Sequence, residues 1–375
     1  MGVPWFQLKE VAKKHDIIAF SSNYALYADM SNRVVEVLSG FSPNIEVYSI
    51  DESFLELAGF ERQGYAAYGR TILERVGEWL GLAVCVGIGP TKTLSKLANH
   101  CAKKKLAGKD GVCDFTVMSA DELTALFGRV EVGEVWGVGR RINERLGAMD
   151  IRTVRELRDA DTETIRSRFS VVVERTVREL RGISCLEMQE IVPDKQQIMS
   201  SRSFGQPVHD LQELQEAVSS YIAKAAEKLR AQGSVAGAVQ VQIRTSPSKP
   251  NDPHYQRAVT IPLAVPSDDT RVLTNWALRI LKKIYRPGYA YQKAGVMLQE
   301  LSPKQARQIS LFQDTERDAR SERLMSVLDG VNQKRGRGTV RLLSEGIDKN
   351  WGMRRGNLSP AYTTSWDELP KVLAR

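Results

Sequence analysis

Val239-Gln-Val-Gln-Ile-Arg244 alternates apolar and polar residues with a period of two, the pattern of a strand with one buried and one open face. It lies in a strand expected over 235–245, and its flanks complete a unit. A strand over 198–204 precedes a long helical pattern over 211–231. The loop Ser246-Pro-Ser-Lys-Pro-Asn-Asp-Pro253, with three prolines, leads to a strand over 256–264, then a helix over 268–285 and a strand over 292–300. The order β-α-β-β-α-β is the split βαβ arrangement of a ferredoxin-like domain. Two helices on one face of the sheet leave the other free, where Gln240, Gln242 and Arg244 suit solvent or a polyanion.

Upstream, an α/β module ends near residue 117. Residues 5–15 can form a short helix, Ile17-Ile-Ala-Phe20 reads as a strand, and Ser21-Ser-Asn23 caps a helix that begins at Tyr24. Apolar alternation around Ile45–Ile50 is interrupted by Asp51 and Glu52 and resumes at Phe54, which predicts two strands meeting at an acidic bend. A helix near 64–80 and a strand over 82–88 follow, and Gly89-Pro-Thr91 opens a basic helix carrying Lys92 and Lys96. Residues 118–183 read as short helices, with eleven arginines against eight acidic residues over 140–181. Residues 184–197 read as a linker, and the chain after 302 as polar and loop-rich.

The 375 residues are 42% hydrophobic and 26% charged, a globular balance that argues against wholesale disorder and predicts several domains. No apolar run approaches the roughly 18 residues of a membrane span. The first residues lack a signal-peptide pattern. Cys85, Cys101, Cys113 and Cys185 form no CxxC pair, which fits a reduced, cytoplasmic chain. A net charge of +8 is a weak pointer to nucleic acid. The four histidines have no second ligand at metal spacing, no Ser-His-Asp signature is visible, and the six tryptophans form no pattern.

Three short stretches could carry chemistry. Asp51 and Glu52 at a bend can approach one cleft, where their mutual repulsion favours a bound Mg²⁺; the same pair also suits a solvated hairpin turn. Gly87-Ile-Gly-Pro-Thr-Lys92 follows a strand and opens a helix, offering backbone N–H groups and a lysine to a phosphate. It is neither a Walker A loop nor a dinucleotide fingerprint, and on pattern alone an ordinary capped basic helix is the favoured reading. Gly137, Val138 and Gly139 allow a tight hairpin whose amides contact one DNA phosphate, with Arg140 and Arg141 adding affinity that ignores sequence; a plain helix–helix turn is the alternative. Apart from these, in Gln308-Ile-Ser-Leu-Phe312 a glutamine and an apolar pair can plug a pocket on a partner.

Taken together the chain resembles the Y-family translesion DNA polymerases of the UmuC/MucB type. The resemblance is carried by Tyr48-Ser-Ile-Asp-Glu52, Val86-Gly-Ile-Gly-Pro-Thr-Lys-Thr-Leu-Ser-Lys-Leu-Ala98, Val135-Trp-Gly-Val-Gly-Arg140, Glu174-Arg-Thr-Val-Arg-Glu-Leu-Arg-Gly182, Ser201-Arg-Ser-Phe-Gly205 and Leu358-Ser-Pro-Ala-Tyr-Thr-Thr364. It implies an α+β multidomain chain of right-hand architecture. Residues 1–117 are then palm and fingers, 118–183 a helical thumb with a helix-hairpin-helix, 198–302 a ferredoxin-like little finger, 303–320 a clamp-binding segment and 321–375 a C-terminal tail. The resemblance further implies that Asp51 is a catalytic Mg²⁺ ligand, that Glu52 assists at the primer end, and that Lys92 contacts the triphosphate. The hairpin at 137–141 then grips template–primer DNA, and Gln308, Leu311 and Phe312 engage the beta sliding clamp. Deoxynucleoside triphosphates, a UmuD′-type dimer and RecA are the other partners it implies.

In the family, a first strand bearing an aspartate precedes the motifs found here. No residue of this chain fills that role, so the palm and fingers are expected to be truncated at the N-terminus and the activity of the chain to be in doubt. A non-catalytic DNA- and clamp-binding fragment is the alternative expectation.

Overall fold

The computed structural model describes residues 3–189, 194–249, 252–306, 315–353 and 356–372. They divide into two compact units: residues up to Val192 joined by those from Leu358 onward, and Pro193–Asn357. The first crossing falls inside the stretch read as a linker.

The first unit begins with α1 (Trp5–Lys14) and α2 (Tyr24–Ser39). The Asn23 side chain caps α2 by accepting from the Leu26 N–H at 3.3 Å and donates to the Ser359 carbonyl at 3.2 Å, fastening the returning tail. The strand expected over Ile17–Phe20 does not form: Ile18 is 77% and Phe20 64% exposed. The reason is the lack of a pairing neighbour, since only Ser21 forms a bridge, to Leu358. β1 (Ile45–Val47) and β2 (Ser53–Leu55) pair antiparallel, with Glu46 opposite Phe54, around the acidic bend.

After α3 (Tyr65–Leu80), β3 (Val86–Ile88), α4 (Lys92–Lys103) and β4 (Val112–Asp114) form a parallel βαβ unit. The helix lies directly on the strand. A Cβ at Gly87 would fall 2.0 Å from the Asn99 nitrogen, so only glycine fits there. The short helices α5 (Ala120–Phe127), α6 (Arg140–Gly147), α7 (Val154–Asp159), α8 (Thr162–Arg168) and α9 (Val171–Leu180) complete the unit. Capping boxes at Ser119/Glu122 and Thr153/Glu156 start α5 and α7. One core joins Leu94, Leu97 and Phe115 to Phe127, Leu146 and Val177, so residues on both sides of 117 share their packing.

Glu179, at the end of α9, is fully buried. Its carboxylate accepts from the Thr93 N–H at 3.0 Å, the Cys185 N–H at 2.6 Å and the Leu186 N–H at 3.2 Å. Its carbonyl accepts from the Thr91 hydroxyl at 3.0 Å. The first turn of α4 presents amides that have no intrahelical acceptor and a positive dipole end; Glu179 takes the Thr93 N–H, and the Thr91 hydroxyl takes that of Leu94 at 3.2 Å.

In the second unit, β5 (Ile198–Val208), α10 (Leu211–Ala231), β6 (Ser234–Thr245), β7 (Gln256–Ser267), α11 (Thr270–Ile284) and β8 (Tyr291–Pro303) follow the expected order. The sheet order is β5-β8-β6-β7, antiparallel throughout. This corrects the ferredoxin-like expectation, in which β7 rather than β8 would lie between β5 and β6. Proline explains the difference. Pro207 in β5 and Pro262 and Pro266 in β7 cannot donate to a ladder, and the observed order puts both strands on edges. Val239, Val241 and Ile243 are buried against the helices, while Gln240, Gln242 and Arg244 are not.

The chain beyond 302, expected to be loop-rich, instead forms α12 (Thr315–Arg335). Its apolar periodicity is weak because polar pairs dock it. Arg230 makes a bidentate pair with Asp329 at 2.6 and 2.7 Å, Ser321 bonds Asp269, and Lys304 reaches Glu322 at 2.7 Å. Further on, Trp351 is buried edge-on against Tyr221 and Phe204. The clamp-binding residues expected at Gln308, Leu311 and Phe312 lie outside the described residues.

Replacing Glu179 by alanine removes the acceptor of three N–H groups, that of buried Thr93 and those of half-buried Cys185 and Leu186. At about 1–3 kcal/mol for each unsatisfied donor, Glu179→Ala is expected to lower the unfolding free energy of the first unit by at least about 3 kcal/mol in urea titrations. A loss under about 1 kcal/mol would show that the clamp is dispensable.

Candidate active site

The bend between β1 and β2 closes tightly, because the N–H groups of Tyr48 and Ser49 both donate to the Glu52 carbonyl, at 3.1 and 3.0 Å. Two adjacent carboxylates on a regular strand would face opposite ways; the bend brings Asp51 and Glu52 to the same cleft, of about 1260 Å³. Asp51 is exposed and its carboxylate accepts from the Ser49 hydroxyl at 2.7 Å. Glu52 is ion-paired with Lys96 at 2.7 Å. The Lys96 ammonium lies 4.6 Å from the centre of the Tyr48 ring and 5.3 Å from that of Trp136, within cation–π range of both. The Trp136 indole N–H donates to the Tyr48 hydroxyl at 3.0 Å.

Lys92 lines the same cleft, but its ammonium is engaged. It donates to the Glu46 carboxylate and, at 2.6 Å, to the Glu187 carbonyl. The Lys92 and Glu46 side chains are about nine-tenths buried, and Glu46 also accepts from the Gln189 N–H at 2.6 Å. Removing one partner of such a pair leaves an uncompensated charge in the interior. Lys103, at the last position of α4, is exposed on the cleft and has no ion-pair partner among the described residues. The phosphate cradle expected over 87–92 is put to other uses. Gly87 and Gly89 admit α4 against β3, and the helix N-terminus holds Glu179.

The hairpin lies beside the cleft. Gly137 has φ +88°, the left-handed region that favours glycine. The Val138 N–H donates to the Val135 carbonyl at 2.9 Å. The Val138 side chain is 7% exposed and its N–H is taken up by Val135, so Val138 anchors the turn and leaves ligand contacts to its neighbours. Gly139 caps α6 with no side chain, leaving the first amides of that helix open to an anion. Arg140 is 91% exposed, with Glu144 at 2.9 Å, and Arg141 is also exposed.

Among the described residues no group of three or more His, Cys, Asp or Glu side chains gathers closely enough to hold a metal. Asp51 and Glu52 are hard oxygen donors, and magnesium commonly takes one or two carboxylates with the remaining ligands from phosphate and water. The pair therefore fits an ion that arrives with a nucleotide. Burial pushes the Cys101 thiol up to about 11 and Cys113 up to about 12. Both stay protonated at neutral pH, so neither is an activated nucleophile.

Asp51, Glu52 and Lys92, singled out from local motifs, thus share one cleft, and residues 137–141 are joined to it through Trp136. Tyr48, Trp136 and Lys103 carry no local signal that marks them as site residues. Trp136 meets Tyr48 across 88 positions of sequence, a pairing that no local periodicity encodes.

Comparison with known proteins gives three consecutive domain matches. Residues 1–100 match the impB/mucB/samB family, 195–311 the impB/mucB/samB family C-terminal domain, and 322–372 a domain of unknown function. The chain is 45% identical to Protein UmuC of Salmonella typhimurium over 372 residues, 99% of this chain and 88% of the relative. It is 44% identical to Protein MucB of Escherichia coli over 371 residues, 99% of this chain and 87% of the relative. A solved Y-family DNA polymerase chimera superposes with a TM-score of 0.60 at 18% identity, over 80% of this chain and 83% of that one.

These matches correct the expectation of a chain stripped of its N-terminal segment, and the doubt about activity drawn from it. The family's N-terminal domain is matched over residues 1–100. The fold is that of a Y-family DNA polymerase, and the chain belongs to the impB/mucB/samB family.

Proposed function

We propose that the protein is a translesion DNA polymerase, a DNA-directed DNA polymerase that extends a primer past damaged template bases. The observation that carries this reading is the bend that presents Asp51 and Glu52 to a cleft also lined by Lys92, Lys96 and Lys103, in a chain of this family. The cleft receives a deoxynucleoside triphosphate. Lys103, exposed at its edge, takes the phosphates; Lys92 joins them only by exchanging its bond to Glu46. Asp51 would hold Mg²⁺, and Glu52, paired with Lys96, would stand toward the primer end. The ion, when bound, gathers phosphate oxygens and offsets the charge that develops during phosphoryl transfer.

Residues 1–117 act as palm and fingers, and 118–183 as the thumb. The backbone amides of Gly137 and of residues 139–141, with the side chains of Arg140 and Arg141, hold phosphates of template–primer DNA, and Val138 keeps the turn in shape. Such contacts position the duplex without reading bases, which suits a damaged template. Residues 198–302 act as the little finger, whose open face carries Gln240, Gln242, Arg244 and Lys293 in neighbouring register. The segment 303–320 binds the beta sliding clamp through Gln308, Leu311 and Phe312. A UmuD′-type dimer and RecA are the partners in the damage response, and the tail 321–375 completes the chain.

Primer extension with Mg²⁺ on an undamaged template tests the site. Asp51→Ala is expected to lower the rate at least about 100-fold, the scale of losing one electrostatic participant in the transition state. Retention of the wild-type rate would exclude Asp51 from the chemistry. Lys103→Ala is expected to raise the nucleotide KM about tenfold, the loss of one charge-assisted hydrogen bond, with DNA affinity preserved. An unchanged KM would remove Lys103 from the phosphate site.

A further inference from the structure

Trp136 joins two parts of the first unit that have separate tasks in the proposed function, on which this inference rests. Its neighbours Val135 and Val138 are 3% and 7% exposed and pin the hairpin to the core, and the Val138 N–H to Val135 carbonyl bond closes the turn between them. The indole projects from that rigid base to the Tyr48 hydroxyl, 3.0 Å away. Tyr48 is itself part of the acidic bend, since its amide closes on the Glu52 carbonyl. The Trp136 and Tyr48 rings meet edge to face with centroids 5.2 Å apart, and Phe54 of β2 lies 5.7 Å from Trp136. Close to both rings lies the Lys96 ammonium that neutralises Glu52. A second link runs in parallel: His100 of α4 lies 3.4 Å from Glu134, two residues before Trp136.

We infer that Trp136 is a positioning residue that couples DNA held at the Gly137–Gly139 hairpin to the Asp51–Glu52 bend through its hydrogen bond to Tyr48. A phosphate bound at the hairpin amides restrains Gly137 and, through one peptide bond, the indole. The indole N–H restrains Tyr48, and Tyr48 restrains the bend. An empty hairpin leaves the bend freer to open. The acidic pair is therefore best ordered when a duplex is in place.

The test uses two variants that delete the same bond and retain an aromatic ring at each position: Trp136→Phe removes the donor, and Tyr48→Phe removes the acceptor. Hydrogen exchange of the full chain, with and without a template–primer duplex, reads the coupling independently of polymerase activity. In the wild type, duplex is expected to slow exchange both over 135–141 and over 45–55. In each variant the slowing over 135–141 persists while that over 45–55 is lost, and exchange over 45–55 in the free protein rises about fivefold, the scale of one net hydrogen bond.

In primer extension each variant is expected to lower kcat about fivefold, with nucleotide KM and DNA affinity within about twofold. The double variant is expected to be no slower than either single, because both delete one interaction. Wild-type protection confined to 135–141, or unchanged exchange over 45–55 in the variants, overturns the coupling. Additive losses of kcat also overturn it. A wild-type chain that extends no primer refutes the proposed function instead, and the exchange pattern still decides the coupling.

Discussion

The buried carboxylate of Glu179 holds three backbone amides from two segments, and the geometry of the cleft depends on it. Without it the Thr93 N–H would be unsatisfied and the positive dipole end of α4 would face the interior without a counter-charge. With Glu179 as its internal anion, α4 is fixed against β3 at the distance that Gly87 alone permits. Three lysines at three heights on this helix then have assigned places. Lys92 is buried against Glu46, Lys96 sits close to Tyr48 and Trp136 beside Glu52, and Lys103 is open at the edge. One helix thus sets where three lysines of the cleft stand.

That pattern differs from a simple cradle of positive charge. The lysine nearest the helix start is already paired, in surroundings where an ion pair is strong because water is scarce. In the proposed function an incoming phosphate would compete with Glu46 for Lys92, whereas Lys103 would need no such exchange. Order in the acidic bend likewise comes from beyond it. Asp51 and Glu52 repel each other, and Ser49, Lys96 and the Tyr48–Trp136 bond hold the bend closed against that repulsion. The DNA-holding role proposed for the hairpin at 137–141 would complement this arrangement, since phosphate contacts are indifferent to the chemistry of the templating base.

Local patterns in the sequence carry much of this architecture. The alternation Val239-Gln-Val-Gln-Ile-Arg244 identifies a half-buried strand, and the elements around it appear in the expected order within a few residues at their ends. The acidic bend is legible because carboxylates break an apolar alternation. Strand order does not follow from that alternation, which is blind to neighbours, although Pro207, Pro262 and Pro266 already restrict β5 and β7 to edges. Helix α12 escapes a reading of periodicity because Arg230–Asp329 and Ser321–Asp269 dock it in place of an apolar stripe. Ile17–Phe20 reads as a strand from composition, but strands are completed by partners that a local pattern does not contain. The same limit hides Trp136, whose role depends on a residue 88 positions away.

That this cleft copies DNA past lesions is tested most directly by single-nucleotide insertion opposite an abasic site. The wild-type chain is supplied with Mg²⁺, and duplex binding is confirmed in the same sample. The primer is expected to be lengthened by one residue opposite the lesion and then extended beyond it. Duplex that is bound but never lengthened, on damaged and undamaged templates alike, would contradict a polymerase cleft built on Asp51 and Glu52.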